Sequence, residues 1–515
     1  METIYKRGVR FTASVLTVAS LLLLNACQDH PLAPTPRPDL TFYALTAGNQ
    51  LLRLNVQTSE TASATMSITG LQPNENLLAI DFRPATGQLY GVGSSSRLYI
   101  INPMTGAARP LGAGSFSPPL NGPIAGFDFN PTVDRIRLVT SPGQNYRLNP
   151  ETGATMTTDG SINGGVGGTP AIAAVAYTNN RAGAATTVLY DIDPVTDRLY
   201  IQNPPNNGTL VDVGPLGMNI TQVGGFDISP NNMFALASVE FGGKWELDQV
   251  NLTTGKLTKL GDLPSGNIIG LAVPTDPVAY AVDDLNNLVI FNPMSSTLTT
   301  VSRAIAGLQS GETVVGLDMR PVNGQLYAIG STSRIYTINA SSGAATMVGP
   351  GAFSPGLSGT DFGVDFNPTV DRIRVVSNTG QNIRLHPETG AVAGTDTPLS
   401  PSSPTVTAAA YTNNFPPTPP APATTVLYDI DSNTDRLVKQ DPLPNGGILV
   451  DVGPLKMNIE ASNGFDITGT TGIAYGIFRV GGASSLYMVN LTSGAATKIA
   501  DFPVATRGFT VGLGF

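Results

Sequence analysis

The chain has 515 residues, a formal net charge of −9 and only 13% charged residues. That length exceeds one ordinary core, and an acidic balance with no basic run beyond the N-terminus excludes nucleic acid as a partner. One cysteine, Cys27, and two histidines, His30 and His386, exclude an intrachain disulfide framework and thiolate- or histidine-rich metal centres. They also exclude nearly every Ser-His-Asp hydrolase, since a triad would have to recruit His386. The 57 glycines and 41 prolines, beside 41% hydrophobic residues, suit many short strands joined by tight turns around a packed core.

At the N-terminus, Lys6, Arg7 and Arg10 precede an apolar run from Phe11 to Leu24 that is too short to span a bilayer well. The run ends in Leu24-Asn25-Ala26-Cys27, which resembles a bacterial lipobox. Residues 1–26 therefore read as a lipoprotein signal peptide with Cys27 as the acylated residue. Residues 27–39, rich in proline, read as a tether. More than one acyl chain gives stable anchoring, so the expected partner at this end is a membrane. The expected location is the cell envelope outside the cytoplasm, at the outer membrane or cell surface.

Beyond the tether the chain is written twice. FNPTVDRIR runs from Phe129 to Arg137 and again from Phe366 to Arg374, and TTVLYDID and LVDVGPL also recur. The copies span 40–274 and 275–515, joined near Val273-Pro-Thr-Asp-Pro277. Inside each copy a unit of about 45 residues repeats, with four short strands punctuated by Gly, Pro, Asn and Asp, the length of a propeller blade. The expected fold is all-β, as two five-bladed β-propellers in tandem, with one ring of about ten blades as the alternative. Copy one starts on TFYAL, matching a second strand, and ends on NIIGLAV, matching a first strand. Pairing of the two would close the ring and remove unpaired edges. GFTVGLGF would do the same for AYAV in copy two.

FNPTVDRIR reads as the hairpin between the first two strands of a blade, with Asn130 capping the turn and Pro131 presetting φ. Asp128 faces away from Phe127 and Phe129, so a buried carboxylate there needs a partner. Arg135 or Arg137, and Arg372 or Arg374 in the second copy, are the expected structural pairs. The aspartates of the first strands, Asp81, Asp128 and Asp227, then Asp318, Asp365 and Asp466, would line a central channel. There they could hold a cation or act as acid and base, or simply serve the repeated scaffold.

YDIDPVTD carries Asp191, Asp193 and Asp197, and DIDSNTD carries Asp429, Asp431 and Asp435. The second begins like a calcium loop but has Thr434 and Gln440 where glycine and a bidentate glutamate belong, so a turn is favoured over metal. No cofactor is expected, with calcium the one possibility kept open. FSPPLNG and FSPGLSG place Phe116 and Phe353 on loops between blades, as ligand contacts or as plugs. Gln144 and Asn145, with Gln381 and Asn382, offer amides for a sugar or peptide, or merely a turn. Phe415 to Thr425 is a proline-rich spacer.

FDFNPTVDRIR, GQNxRLxPETGA, AYTNN, TTVLYDID and GFDI, all in order, make the chain resemble the bacterial family of domain of unknown function DUF4394. The resemblance covers nearly all of 40–515, in two copies, and implies no established activity. The functional expectation is an exported, lipid-anchored binding or scaffold module for an extracytoplasmic glycan or protein. The rival is a carbohydrate- or lactone-active hydrolase using the channel aspartates.

Overall fold

The structure is a computed structural model that describes residues 36–515, except 123–124, 265, 296, 402–403, 416–423 and 462. The expected signal peptide, Cys27, most of the expected tether and most of the proline-rich segment lie outside the described residues. Among the described residues no helix is long and apolar enough to cross a membrane.

The chain is all-β, with short antiparallel sheets and, among the described residues, three single-turn 3-10 segments. Among the described residues ten sheets form, each of four strands except one that gains a fifth at its edge, in the propeller-like order expected of blades. FNPTVDRIR is a hairpin: Ala125–Asn130 pairs antiparallel with Arg135–Thr140, Asn130 opposite Arg135. Asn130 Oδ1 caps the turn through Thr132 N at 3.0 Å, and Asp134 closes it at φ 52°, a left-handed geometry that Asp tolerates.

The terminal strands behave as the repeat implied. Ile268–Ala272 pairs with Thr41–Thr46, so the last strand of copy one completes its opening sheet. Thr506–Val511 does the same for Ala279–Asp283 in copy two.

Within copy one the first strands neighbour one another in chain order: Leu77–Phe82, Ala125–Asn130, Ala174–Tyr177, Gln222–Ile228 and Ile268–Ala272, with the last returning to the first. Copy two repeats the arrangement. Glycine makes this closeness possible. A Cβ at Gly225 would sit 2.3 Å from Leu271 N, and one at Gly363 would sit 2.7 Å from the Ala408 carbonyl carbon. The core fills the gaps between sheets. Phe127, Phe129, Leu138 and Tyr90 pack together between two neighbouring sheets, and Phe465, Ile467, Ile430 and Leu437 do so in copy two.

The copies touch through the turn after Leu77–Phe82 and its counterpart. Tyr280 donates to Ala85 O at 2.9 Å, Gly514 N to Thr86 O at 2.9 Å, and Arg83 Nη1 to Gly324 O at 3.2 Å. Arg83, 1% exposed, is also held by Asp134 and Glu151. Its counterpart Arg320 pairs with Asp371 and the exposed Glu388.

Candidate functional site

The first-strand aspartates come together as expected. In copy one the carboxylates of Asp81, Asp128 and Asp227 offer oxygens within 4.8 Å of one another, and in copy two Asp318, Asp365 and Asp466 do the same. All six are buried to 1% exposure or less. Each reaches the backbone of the next sheet. Asp81 accepts from Phe129 N at 2.9 Å, Asp128 from Tyr177 N at 3.2 Å and Asp227 from Val273 N at 2.6 Å. Asp318, Asp365 and Asp466 accept from Phe366, Tyr411 and Val511 in the same way. The carboxylates therefore latch neighbouring sheets at their inner edge. Asp128 directly precedes Phe129, whose N–H Asp81 binds, and Asp365 directly precedes Phe366, whose N–H Asp318 binds. Ala176 and Ala272 fill the same position in the other two sheets of copy one. In copy two Ala410 and Thr510 do so, and Thr510 Oγ1 lies 2.8 Å from Asp318 and 3.0 Å from Asp466.

Burial raises the pKa of all six well above the carboxylate range, and repulsion within each cluster adds to the shift at Asp81, Asp128, Asp365 and Asp466. Between the five first strands of copy one lies a small open pocket of about 20 Å³, and between those of copy two one of about 10 Å³, both beside the carboxylates and not lined by them. Neither admits a sugar.

The expected pairing of Asp128 with arginine is not made. Asp128 and Arg137 are cross-strand partners, but the guanidinium runs to Asp159 at 2.6 Å, Asn145 at 2.7 Å and Asn206 at 2.8 Å, with Tyr177 at 3.4 Å. Tyr177, from the next sheet, serves both: its N–H donates to Asp128 and its hydroxyl accepts from Arg137. Arg374 repeats this with Asp396, Asn382, Asn445 and Tyr411. Arg135 and Arg372 instead bind the carbonyls of Asp134 and Asp371 in their own turns.

The loop candidates are also committed elsewhere. Phe116 and Phe353 are 4% and 6% exposed and plug the gaps between sheets, so neither is presented to a ligand. Gln144 clamps Pro119 O and Asn121 N, and Gln381 clamps Gly356 O and Ser358 N. Asn145 and Asn382 are buried against Gly160 and Pro205, and against Thr397 and Pro444. In the aspartate-rich phrases, Asp193 and Asp431 cap turns, while Asp197 and Asp435 bind Ile220 N and Ile459 N. Asp191 and Asp429 are wholly buried, with pKa values raised by burial, that of Asp429 to about 7.

A site that sequence reasoning missed lies in copy two. A pocket of about 200 Å³ is lined by Asp284, Thr407, Asn463, Arg479 and Arg507 over Val315 and Phe362. Several of these residues also sit on or beside strands that line the narrow channel, so the pocket marks one mouth of it. Arg507 Nε lies 3.0 Å from Asp284, and Arg479 Nε lies 3.0 Å from Glu460. Asn463 donates to Thr407 Oγ1 at 2.7 Å. Arg507 Nη1 and Asn463 Oδ1 are buried and make no hydrogen bond among the described residues. Strand register places Ala47, Ala173, Gly224, Glu240 and Ile269 at the matching positions of copy one. Comparing the copies position by position, rather than for shared phrases, would have exposed this divergence.

The family model for the domain of unknown function DUF4394 matches residues 50–272 and again 287–510. No curated protein matches the chain. Among solved structures, the computationally designed Ika8 protein is similar at 11% identity and TM-score 0.22, over 82% of this chain and 99% of that one. The extracellular domain of BT4673 from B. thetaiotaomicron is similar at 10% identity and TM-score 0.26, over 90% of this chain and 64% of that one.

Proposed function

For this chain, which belongs to the DUF4394 family in two tandem copies, we propose a non-catalytic binding module at the cell envelope, built as two five-bladed β-propellers and anchored through acylated Cys27. The cyclic order of first strands and the terminal strand pairings support two rings over one ring of ten. The lipobox-like end of the apolar run supports the anchor. The ligand site is the channel mouth in copy two, and its ligand is polyhydroxylated, such as one glycan residue. The observation that carries this reading is the unspent hydrogen-bonding capacity of Arg507 Nη1 and Asn463 Oδ1 in a pocket whose polar residues are absent from copy one. A buried donor and acceptor without partners are costly and mark a place where a ligand supplies the missing bonds. Guanidinium, carboxylate, amide and hydroxyl groups together suit sugar hydroxyls, which both donate and accept.

A glycosidase holds its two carboxyl groups about 5–9.5 Å apart across a sugar. The triad oxygens here lie within 4.8 Å of one another on side chains no more than 1% exposed, which argues against a hydrolase working through Asp128 or Asp365. The test is glycan binding by the full chain and by the double variant Asn463→Gly, Arg507→Ile, which carries copy one's residues. Wild-type binding that weakens at least about 10-fold in the variant, without change in melting, supports the site. Equal binding by both proteins refutes it.

A further inference from the structure

Three carboxylates meet at the inner edge of each ring, and no guanidinium or ammonium pairs with any of them among the described residues. The backbone N–H groups that hold them neutralise no full charge. In copy one two further observations point to something at the cluster. Asp128 Oδ2, on a side chain 1% exposed, has no hydrogen-bond partner. Asn180, 0% exposed and not itself acidic, holds its Nδ2 3.5 Å from Asp227 Oδ1, and its Oδ1 has no partner. Turned end for end, the Asn180 amide would bring its oxygen to the three buried carboxylates and complete an oxygen donor set. In copy two the hydroxyl of Thr510 stands between Asp318 and Asp466 and adds a neutral oxygen there.

We propose that each ring binds one calcium ion at its axis, held in copy one by Asp81, Asp128, Asp227 and Asn180, and in copy two by Asp318, Asp365, Asp466 and Thr510. Calcium takes oxygen ligands at about 2.3–2.6 Å, so two oxygens on one ion stand at most about 5 Å apart. The clusters meet that limit, with all three carboxylates inside 4.8 Å. The ion clamps three first strands in each ring, adding to the latches already described. This site is separate from the mouth pocket and does not depend on it.

The experiment is metal analysis of the full chain, produced in calcium-containing medium, purified in detergent and desalted. Native mass spectrometry provides the stoichiometry. Two calcium ions per chain are expected, falling to one in Asp81→Asn, Asp128→Asn and to one in Asp318→Asn, Asp365→Asn. Should a variant fail to fold, the wild type still decides the matter: prolonged treatment with a calcium chelator should lower its melting temperature, and added calcium should restore it. Wild-type protein that carries no calcium, and melts identically with chelator and with calcium, overturns the proposal and leaves protons as the neutralising charge.

Discussion

Replacing Arg137 by alanine removes a guanidinium that is 2% exposed and ties two sheets of copy one together. Four groups lose a donor: Asp159, Asn145, Asn206 and Tyr177. Breaking a buried ion pair from one side costs about 3–5 kcal/mol, because the remaining charge stays buried. Asp159 keeps Arg147 at 2.8 Å, so the lower end, about 3 kcal/mol, is expected. In a unit of some 230 residues this lowers the melting temperature by about 6–12 °C. The control is Arg198→Ala, which breaks the more exposed Arg198–Asp212 pair and should cost at most about 1 kcal/mol. Calorimetry and denaturant titration of both variants measure the difference. If the two fall within 1 kcal/mol of each other, the buried network does not hold the sheets as described.

Arg83→Ala should destabilise the protein by about 3–5 kcal/mol and Arg320→Ala by about 1–2 kcal/mol, because Arg83 is sealed by the junction of the copies while one partner of Arg320 is open to water. Denaturant titration with equal costs would refute that assignment of the junction. Gly363→Ala forces a Cβ to 2.7 Å from backbone of the neighbouring strand and should cost about 2 kcal/mol or more, whereas Gly446→Ala meets nothing within 4 Å and should leave melting unchanged.

Asp429 supplies a pH prediction. Burial raises its pKa to about 7, against the smaller lowering by its Gln440 hydrogen bond and Arg374. The folded value exceeds the unfolded one of about 4, so the folded state holds the proton. Its contribution is complete below about pH 4 and is lost as pH rises through about 7. Asp429→Asn should remove that loss and gain on the wild type by a few kcal/mol, on the order expected for such a shift, between pH 4 and 8. Parallel stability curves for the two proteins would show that the carboxyl titrates normally.

The blades were legible in the sequence because strand formation is local. Alternation sets which side chains share a face, and Asn-Pro or Asp with positive φ sets where the strand turns. The Gly-Phe-Asp triplets at Gly126, Gly225 and Gly464 carry a second layer: glycine where strands crowd, Phe into the gap between sheets, Asp toward the next sheet. Duplication made closure readable too, since TFYAL and NIIGLAV each lacked a mate. Contacts between sheets were not legible. Alternation correctly put Asp128 and Arg137 on one face, but it could not show that Tyr177, some forty residues later, would bond to each of them. Phe116 read as a loop residue because its neighbours in sequence are a loop, whereas its neighbours in space are core.

Sequence by itself determined the acidic, histidine-poor chemistry, the two copies, the strand count of each repeat and the aspartates of the first strands. These follow from composition and from interactions spanning a few residues. Tertiary structure alone decided which aspartates meet, where each arginine spends its charge, and which end of one copy opens into a polar pocket. Those outcomes depend on the packing of sheets far apart in the chain, where one intervening side chain or one missing Cβ redirects the contact.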